Sequence, residues 1–351
     1  MTRWRWPLVA LIAIGLIAAI WVLFAERIGA VLFERAVTHN VAYDVRDGLP
    51  KGLHVILCGT GSPLPDPARA GPCVAIIAGS HLMLFDVGEG AARVLARSGY
   101  PTADLEAVYL THLHSDHYDG IGEIMLQSWV GRGRKAPLPL RGPQGVGPLA
   151  QGLDIAYRID SGYRTGHHGK AVAPPSGFGL DAEPITIGAT GRSKVYDRDG
   201  LVITAFTVDH GPVRPAFGYR VDYEGRSVVI SGDTVASDNL IAVARGADLL
   251  LHDALNPQMV GVMQRAAEKA GRANVAKILA DIPGYHASPS DAAKVAQAAQ
   301  VKRLVLTHIV PPLPNATLHA YFLRDAPSFF DGTLEIGEDG TMYSLPAGSD
   351  A

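Results

Sequence analysis

A ten-residue stretch beginning at Thr111, THLHSDHYDG, places three histidines and an aspartate within six positions. It follows an apolar run, AVYL, that predicts a short buried strand. In an extended segment His112 and His114 point to the same side, so both imidazoles can reach one ion. Asp116 and His117 follow where the chain turns into a helix, and we expect them to point at a neighbouring position. The stretch therefore predicts a metal site, and one that holds two ions.

Three more candidate ligands follow predicted strands further along the chain: His210, Asp233 and His308. Loops at strand ends often hold binding and catalytic residues. A site for two metals needs further ligands of these types in addition to the histidine motif. We assign His112, His114 and His210 to one ion, and Asp116, His117 and His308 to the other. Asp233 would bridge the ions, because a carboxylate has two oxygens and a negative charge. A ligand set of imidazoles and carboxylates, without thiolates, suits two Zn²⁺ ions, with Mn²⁺ or Fe²⁺ as alternatives.

The composition limits the other classes of function. The 351 residues carry a formal net charge of −3, so no globally basic surface indicates a nucleic-acid partner. The only two cysteines, Cys58 and Cys73, exclude a zinc ribbon and a disulfide-rich scaffold. They lie on consecutive predicted strands, and an oxidising compartment would permit a disulfide. Two buried, unlinked side chains are the favoured interpretation.

The N-terminal segment predicts a membrane anchor. Residues 7–25, PLVALIAIGLIAAIWVLFA, are uncharged and long enough to span a bilayer core. Arg3 and Arg5 precede them, which predicts that the N-terminus is inside and the rest of the protein is extracytoplasmic, periplasmic if bacterial. The run is longer than a typical signal-peptide core and lacks a good cleavage site, so a retained anchor is favoured. A cleaved signal peptide stays open as the alternative.

The remaining pattern predicts an α/β domain. We divide the chain into an anchor at 1–25, a connector with a short amphipathic helix at 26–50, and a catalytic domain at 51–351. Strands are predicted around 54–58, 73–77, 82–85, 201–206, 217–221, 227–230 and 301–307, with helices near 239–244, 259–270 and 290–299. Such an order predicts a layered sandwich whose helices cover the outer faces of the sheets.

These motifs resemble the metallo-β-lactamase superfamily, and within it the branch of ribonuclease Z and the zinc-dependent arylsulfatases. The resemblance covers about residues 52–345. Besides the H-x-H-x-D-H motif it is carried by GTGSP from Gly59, DVGEG from Asp86, FGYRV from Phe217, SGDT from Ser231 and LHDA from Leu251. It implies a four-layer αβ/βα sandwich with the metals at one edge between two sheets, preceded here by one transmembrane helix.

The resemblance also implies catalytic residues. His286 matches a histidine that acts on the leaving group, and Asp253 takes the place of a glutamate that orients it. Asp116 is counted with them as a catalytic candidate besides being a ligand. Asp86 is expected to brace the ligand loop rather than to bind metal. The implied chemistry is hydrolysis by water that two dications activate.

The segment from 142 to 198 is rich in glycine and proline and resembles an insertion of the arylsulfatase-like members. Its Arg164, His167 and His168 are candidates for binding an anionic ester, with Phe217 or Trp129 as an apolar wall; a solvated loop is the equally weighted alternative. A tRNA-processing enzyme would need an arm between Tyr219 and Asp233, where this chain has room only for a hairpin turning at Glu224-Gly225.

The sequence thus predicts a membrane-anchored metallo-hydrolase of a small anionic ester, arylsulfatase-like or phosphodiesterase-like, with nucleic acid an unlikely substrate and a homodimer left open. The alternatives are a ribonuclease Z-like tRNA 3′-end endonuclease and a lactonase or β-lactamase. Asp233 argues against β-lactamase as the main activity, because enzymes of that kind generally lack the bridging aspartate. A membrane-tethered binding domain without activity is disfavoured, since no ligand position is lost.

Overall fold

The computed structural model describes residues 5–349, so Arg3 of the topology prediction lies outside the described residues. The chain divides into two compact units, one ending at Asp47 and one beginning at Gly48, and each is described by itself. The first unit consists mainly of one helix, α1 (Arg5–Ala42). Its segment Val9–Thr38 is long and apolar enough to cross a membrane, by length and composition.

Helix α1 is longer than the predicted anchor. It continues through Ala25 into the segment predicted as a separate amphipathic helix and connector, and it ends at Ala42. No proline interrupts residues 8–42, and the alanine, leucine, glutamate and arginine residues after position 25 favour helix. The predicted boundary between anchor and connector is therefore not a break in the helix.

The second unit contains two seven-stranded sheets. In chain order the strands are β1 (Gly52–Gly59), β2 (Cys73–Ala78), β3 (His81–Phe85), β4 (Ala107–Tyr109), β5 (Leu138–Gly142), β6 (Leu180–Pro184), β7 (Arg192–Arg198), β8 (Leu201–Thr207), β9 (Phe217–Tyr223), β10 (Arg226–Ile230), β11 (Leu249–Leu255), β12 (Arg303–Val310), β13 (Thr333–Ile336) and β14 (Met342–Pro346). The first sheet has the order β14-β1-β2-β3-β4-β5-β6, and the second has β13-β12-β11-β10-β9-β8-β7.

Helices flank both sheets. They are α2 (Ala91–Arg97), α3 (Ile121–Gly131), α4 (Val146–Val172), α5 (Asp238–Ala244), α6 (Pro257–Lys269), α7 (Ala273–Asp281), α8 (Pro289–Ala299) and α9 (Thr317–Leu323). One apolar core lies between the sheets and joins residues such as Val55 and Phe85 of the first to Tyr219 and Val305 of the second. Another lies between the second sheet and α5, α8 and α9. The predicted αβ/βα sandwich is confirmed.

Most of the candidate metal ligands lie at or after the ends of strands in the parallel parts of the two sheets. Strands β3 to β6 run parallel to one another, as do β10 to β13. The carboxyl ends of parallel strands meet at one edge of a sheet, which is where α/β proteins place their ligand sites. Each sheet therefore gathers the loops after its parallel strands at one edge.

The segment from 142 to 198 is not a loop. Nearly half of it forms the 27-residue helix α4, which has a kink at Gly169, and the remainder includes β6 and β7. A tyrosine of α4, Tyr157, packs over Gly122 near the start of α3, where an added β-carbon would collide with the tyrosine ring and hydroxyl. Tertiary contacts of this kind stabilise α4, because its glycine residues disfavour the helix when it is considered alone.

Cys58 of β1 and Cys73 of β2 form a disulfide, with their α-carbons 4.8 Å apart. The favoured interpretation of two unlinked cysteines is therefore wrong. The two residues come together because β1 and β2 pair antiparallel and an irregularity in register at Leu57/Gly59 brings Gly59 opposite Cys73. Both side chains are buried.

Candidate metal centre

The structure brings the seven predicted ligands together at the edge formed by the strand ends. Two groups of donors, each with all its ligand atoms within 4.8 Å of one another, match the predicted division: His112, His114, His210 and Asp233 in one, and Asp116, His117 and His308 in the other. The first sheet supplies the residues of the H-x-H-x-D-H motif after β4. The second supplies the remainder from the ends of β8, β10 and β12.

In the first group the ring nitrogens converge. His112 Nε2 lies 3.0 Å from His114 Nδ1, and His210 Nε2 lies 3.3 Å from the same atom. Asp233 Oδ2 is 3.8 Å from both Nε2 atoms. Two donors bound to one tetrahedral zinc ion at ~2.0–2.1 Å are roughly 3.3 Å apart. The spacing therefore fits a metal ion between these side chains.

The second group has the same spacing. Asp116 Oδ2 lies 3.5 Å from His117 Nε2 and 3.3 Å from His308 Nε2. Asp233 Oδ2 is 3.4 Å from His117 Nε2 and 3.2 Å from His308 Nε2. One carboxylate oxygen is thus within 3.8 Å of ring nitrogens from both groups. Such a position suits a ligand that two ions would share.

The hydrogen bonds behind the rings favour metal binding. Nδ1–H of His117 donates to Asp86 Oδ2 at 2.8 Å, and Nδ1–H of His210 donates to the carbonyl of Tyr285 at 3.0 Å. Each bond leaves the Nε2 lone pair facing the centre. Among the described residues the buried Nε2 of His117 has no hydrogen-bond partner. Such an atom, together with an all-imidazole and carboxylate donor set, fits Zn²⁺.

Asp86 braces the ligand loop, as predicted. Its Oδ1 accepts from the backbone N–H of Thr111 and its Oδ2 from the Thr111 hydroxyl, both at 2.8 Å. The same hydroxyl lies 3.1 Å from His112 Nδ1, so one carboxylate orients two ligands. Asp86 and His308 both adopt left-handed backbone conformations, with φ of 55° and 48°. Non-glycine residues in this region cost about 1–3 kcal/mol each and persist where their surroundings hold them.

Burial and the charge of Asp233 act together on the pKa values of the imidazoles in the centre. Burial lowers the pKa of three imidazoles, which keeps them neutral as ligands must be: His112, His114 and His210. Burial opposes charge on His117 and His308 too, but Asp233 raises the pKa of both. Burial would raise the pKa of Asp233, yet His308 and His117 hold it well below its usual value. The carboxylate of Asp233 is therefore ionised, which suits the bridging role predicted for it.

His286 and Asp253 form a pair beside the ligands. His286 Nδ1 lies 3.0 Å from Asp253 Oδ2 and 4.0 Å from Asp233 Oδ2. Its ring stacks on that of His308 with centroids 5.2 Å apart. Burial opposes ionisation of Asp253, but hydrogen bonds from His252 and His286 lower its pKa. The aspartate is therefore long enough to hold this imidazole, although it is shorter than the glutamate of the resemblance.

The proposed substrate-binding residues do not join the centre. Phe217 is buried in the core between the sheets, so it cannot form an accessible wall, and this prediction is wrong. Trp129 is also buried, and its indole N–H donates to the carbonyl of Pro174. Arg164 pairs with Asp160 one turn earlier on α4. The structure places neither Arg164 nor the exposed His167 and His168 in contact with the candidate metal ligands.

Two supporting residues were missed. Thr111 connects Asp86 to His112, and the backbone of Tyr285 holds His210. Thr111 begins the histidine motif, so its position beside a ligand was visible in the sequence. A backbone carbonyl leaves no such signal, because any residue type can supply it.

Comparison with known families and proteins agrees with this geometry. The sequence model of the Beta-lactamase superfamily domain matches residues 81–309. A ribonuclease Z of Mycobacterium bovis (strain BCG / Pasteur 1173P2) is 37% identical over 289 residues, which cover 82% of this chain and 96% of that protein. The ribonuclease Z of Mycobacterium avium (strain 104) is 39% identical with the same coverage. These names do not support the arylsulfatase resemblance, and they run against the expectation that nucleic acid is an unlikely substrate.

Solved structures support the fold. The metallo-beta-lactamase fold protein YhfI from Bacillus subtilis superimposes with a TM-score of 0.58 at 21% identity, covering 83% of this chain and 98% of its own. The short form of human tRNase Z gives 0.58 at 23% identity, covering 84% and 99%. The prediction of a metal-dependent hydrolase is confirmed. With its donor clusters at the shared sheet edge, the chain belongs to the metallo-β-lactamase superfamily and, within it, to the ribonuclease Z family.

Proposed function

We propose that this protein hydrolyses phosphodiester bonds of RNA, in the manner of a ribonuclease Z, using two divalent ions. The observation that carries the proposal is the close relation, at 37–39% identity over nearly the whole length of proteins named ribonuclease Z. The donor clusters and the His286–Asp253 pair supply the chemistry that such a reaction needs.

Bound dications would acidify water and neutralise the charge that develops on an attacked phosphoryl group. Asp233 would hold both ions at a fixed separation, and Asp86 and Thr111 would keep the imidazoles turned toward them. Asp253 holds Nδ1 of His286, so the opposite ring nitrogen, Nε2, is the atom that would give a proton to the leaving oxygen.

The observations do not favour an aryl sulfate as the substrate. That prediction relied on a polar cluster in the 142–198 segment, and this cluster lies on the exposed surface of α4 without contact to the ligands. Phe217, its apolar partner in the prediction, is buried.

A small phosphodiester is the second candidate substrate. Strands β9 and β10 pair directly across the turn at Glu224 and Gly225, so no arm extends between Tyr219 and Asp233. An apolar helix that could anchor the chain and the disulfide both support an extracytoplasmic domain, because disulfides persist in oxidising compartments. Such a location separates the domain from cytosolic tRNA.

The test compares substrates on one preparation of the full chain, purified in detergent and loaded with zinc. Rates would be measured on a precursor tRNA with a 3′ extension, on bis(p-nitrophenyl) phosphate and on p-nitrophenyl sulfate. The proposal predicts the highest kcat/KM for the RNA and no turnover of the sulfate. Asp233→Ala, purified in parallel, controls for contaminating nucleases. Diester hydrolysis without RNA cleavage would contradict the proposal and support the second candidate.

A further inference from the structure

Helices α6 and α7 form a helical hairpin inserted between the two members of the leaving-group pair. Asp253 lies on β11 just before α6, and His286 follows α7 by five residues. Asn256 caps α6 by accepting from the backbone N–H groups of Gln258 and Met259. Its amide donates to the carbonyl of Phe322. The base of the hairpin is therefore tied to the domain beside the catalytic pair.

An apolar contact holds the hairpin in place. Val260 and Ala267 of α6 and Leu279 of α7 are buried in one cluster with Val310, two residues beyond the ligand His308. Leu64, in the loop after β1, packs against the same cluster. Since buried aliphatic side chains fix the relative position of the elements they join, the hairpin has a defined orientation relative to the metal centre.

The distal part of the hairpin carries unpaired positive charge. Arg265, Lys269 and Arg272 are all exposed, and within residues 5–349 none of the three forms an ion pair or a side-chain hydrogen bond. The other charged residues are engaged: Lys277 pairs with Asp281, and Glu268 accepts from Gln264. We call the three unpaired cations the basic tip.

We infer that the α6–α7 hairpin binds the RNA backbone, and that its basic tip contacts phosphates remote from the scissile bond. This inference rests on the proposed function. Helix α6 has 13 residues and is therefore about 20 Å long. A small diester held at the metals cannot span that distance, whereas a polynucleotide presents phosphates along it. The hairpin would thus grip RNA in a chain that has no arm between β9 and β10.

The composition of the hairpin favours RNA over a lipid surface. The exposed aliphatic residues are Val262, Val275 and Ile278, and residues 257–281 contain no aromatic side chain. Helices that lie in a membrane interface use tryptophan, phenylalanine or leucine for insertion. Isolated cations with small aliphatic neighbours suit a phosphate backbone and its sugars, because Lys and Arg neutralise phosphates without burying apolar surface.

The test removes the basic tip from the full, zinc-loaded chain. Arg265→Gln/Lys269→Gln/Arg272→Gln should raise KM for the precursor tRNA by about tenfold or more. Its kcat on bis(p-nitrophenyl) phosphate should not change. The slope of log KM against log salt should fall by roughly 0.7 for each lost phosphate contact with single-stranded RNA. A merely structural role of the three residues would not change this slope.

Two controls separate local charge from net charge. The charge-preserving variant Arg265→Lys/Lys269→Arg/Arg272→Lys should keep the KM and salt slope of the wild type. Lys51→Gln/Lys135→Gln/Lys170→Gln, which removes three exposed lysines outside the hairpin and so lowers the net charge equally, should do the same.

The outcomes distinguish this inference from the proposed function. Wild-type RNA cleavage with an unchanged KM and salt slope in the triple glutamine variant would overturn the inference alone. Loss of binding to phosphatidylglycerol vesicles with unchanged RNA kinetics would also overturn it, in favour of a lipid surface. If the wild type hydrolyses the small diester but not RNA, the proposed function fails, and the inference fails with it.

Discussion

Asp233 belongs to the first donor group, and one of its carboxylate oxygens also lies close to the ring nitrogens of the second group. Asp233 Oδ2 faces His112 and His210 on one side and His117 and His308 on the other. Two dications at close range repel each other strongly, and a shared anionic ligand offsets that repulsion. Asp233 is therefore the residue on which the proposed centre depends most.

Asp233→Ala should remove both ions, whereas His114→Ala should weaken only the position that His114 serves. The physical reason is that the alanine leaves two dications without their common anion, while the loss of His114 leaves the second donor group intact. Metal content after dialysis, measured by atomic emission, checks this prediction. Retention of one ion by Asp233→Ala would show that the aspartate does not bridge.

His286→Ala should slow turnover of unactivated esters by about 10²–10⁴-fold, the usual range for a positioned general acid. Its metal content should remain that of the wild type, because His286 is not among the seven proposed ligands. Asp253→Ala should give a milder defect of the same kind, by freeing the imidazole that it holds. Rates on esters with good and poor leaving groups make the comparison. Equal, near-wild-type rates of His286→Ala on both would rule out the proposed role.

The sequence predicted the residues that converge in the candidate metal centre, but the substrate-binding residues that it predicted do not join them, for a physical reason. Ligands such as His112 and His308 are identified by chemical type and by position after buried strands, and both signals are local. Whether Phe217 lines an accessible pocket or the core depends on the face of β9 from which its side chain projects. The apolar sequence of the strand does not distinguish the two. Arg164 was placed by resemblance, and the position of its helix depends on contacts distant in sequence.

At the scale of elements, α4 shows how tertiary contacts override local preference. Glycines recur along it, at 147, 152, 162, 166 and 169, and each costs about 1 kcal/mol relative to alanine in a helix interior. The sequence analysis accordingly placed no predicted helix in this segment. Contacts of α4 with α3, β5 and β6 supply the stabilisation that the local sequence lacks.

The disulfide should stabilise the pairing of β1 and β2 beneath the GTGSP loop. It closes a segment with a sequence separation of 15, and a loop of this length contributes about 3 kcal/mol by restricting the unfolded chain. Cys58→Ala/Cys73→Ala should therefore lower the melting temperature by several degrees. Thermal unfolding with and without a reducing agent checks this. A melting temperature that neither the substitution nor the reductant changes would show that the cysteines are not linked in solution.

At the scale of the whole molecule, layered architecture and site location were predictable together. Alternating strands and helices indicated the sandwich, and the candidate ligands follow its strands. The predicted boundary between anchor and connector at residue 25 does not correspond to a helix end, because helix α1 continues to Ala42. Substrate preference depends on the shape and charge of a surface, which no single motif encodes. The prediction of an aryl sulfate relied on such a surface, the polar cluster of the 142–198 segment.

The proposed anchor predicts behaviour of the full chain in cells. The protein should sediment with membranes and resist extraction by high salt or alkaline carbonate, because the candidate span is long and apolar enough to cross a bilayer. N-terminal sequencing of the mature protein is the accompanying control. A soluble form that begins after Ala25 would instead indicate a cleaved signal peptide.

Anomalous diffraction at the zinc edge, from crystals of the zinc-loaded chain, tests the central claim most directly. The account predicts two peaks, one among His112, His114 and His210 and one among Asp116, His117 and His308, with Asp233 between them. Each peak should lie about 2.0–2.2 Å from its donor atoms. A single peak, or an Asp233 carboxylate turned away from both positions, would contradict the two-ion centre.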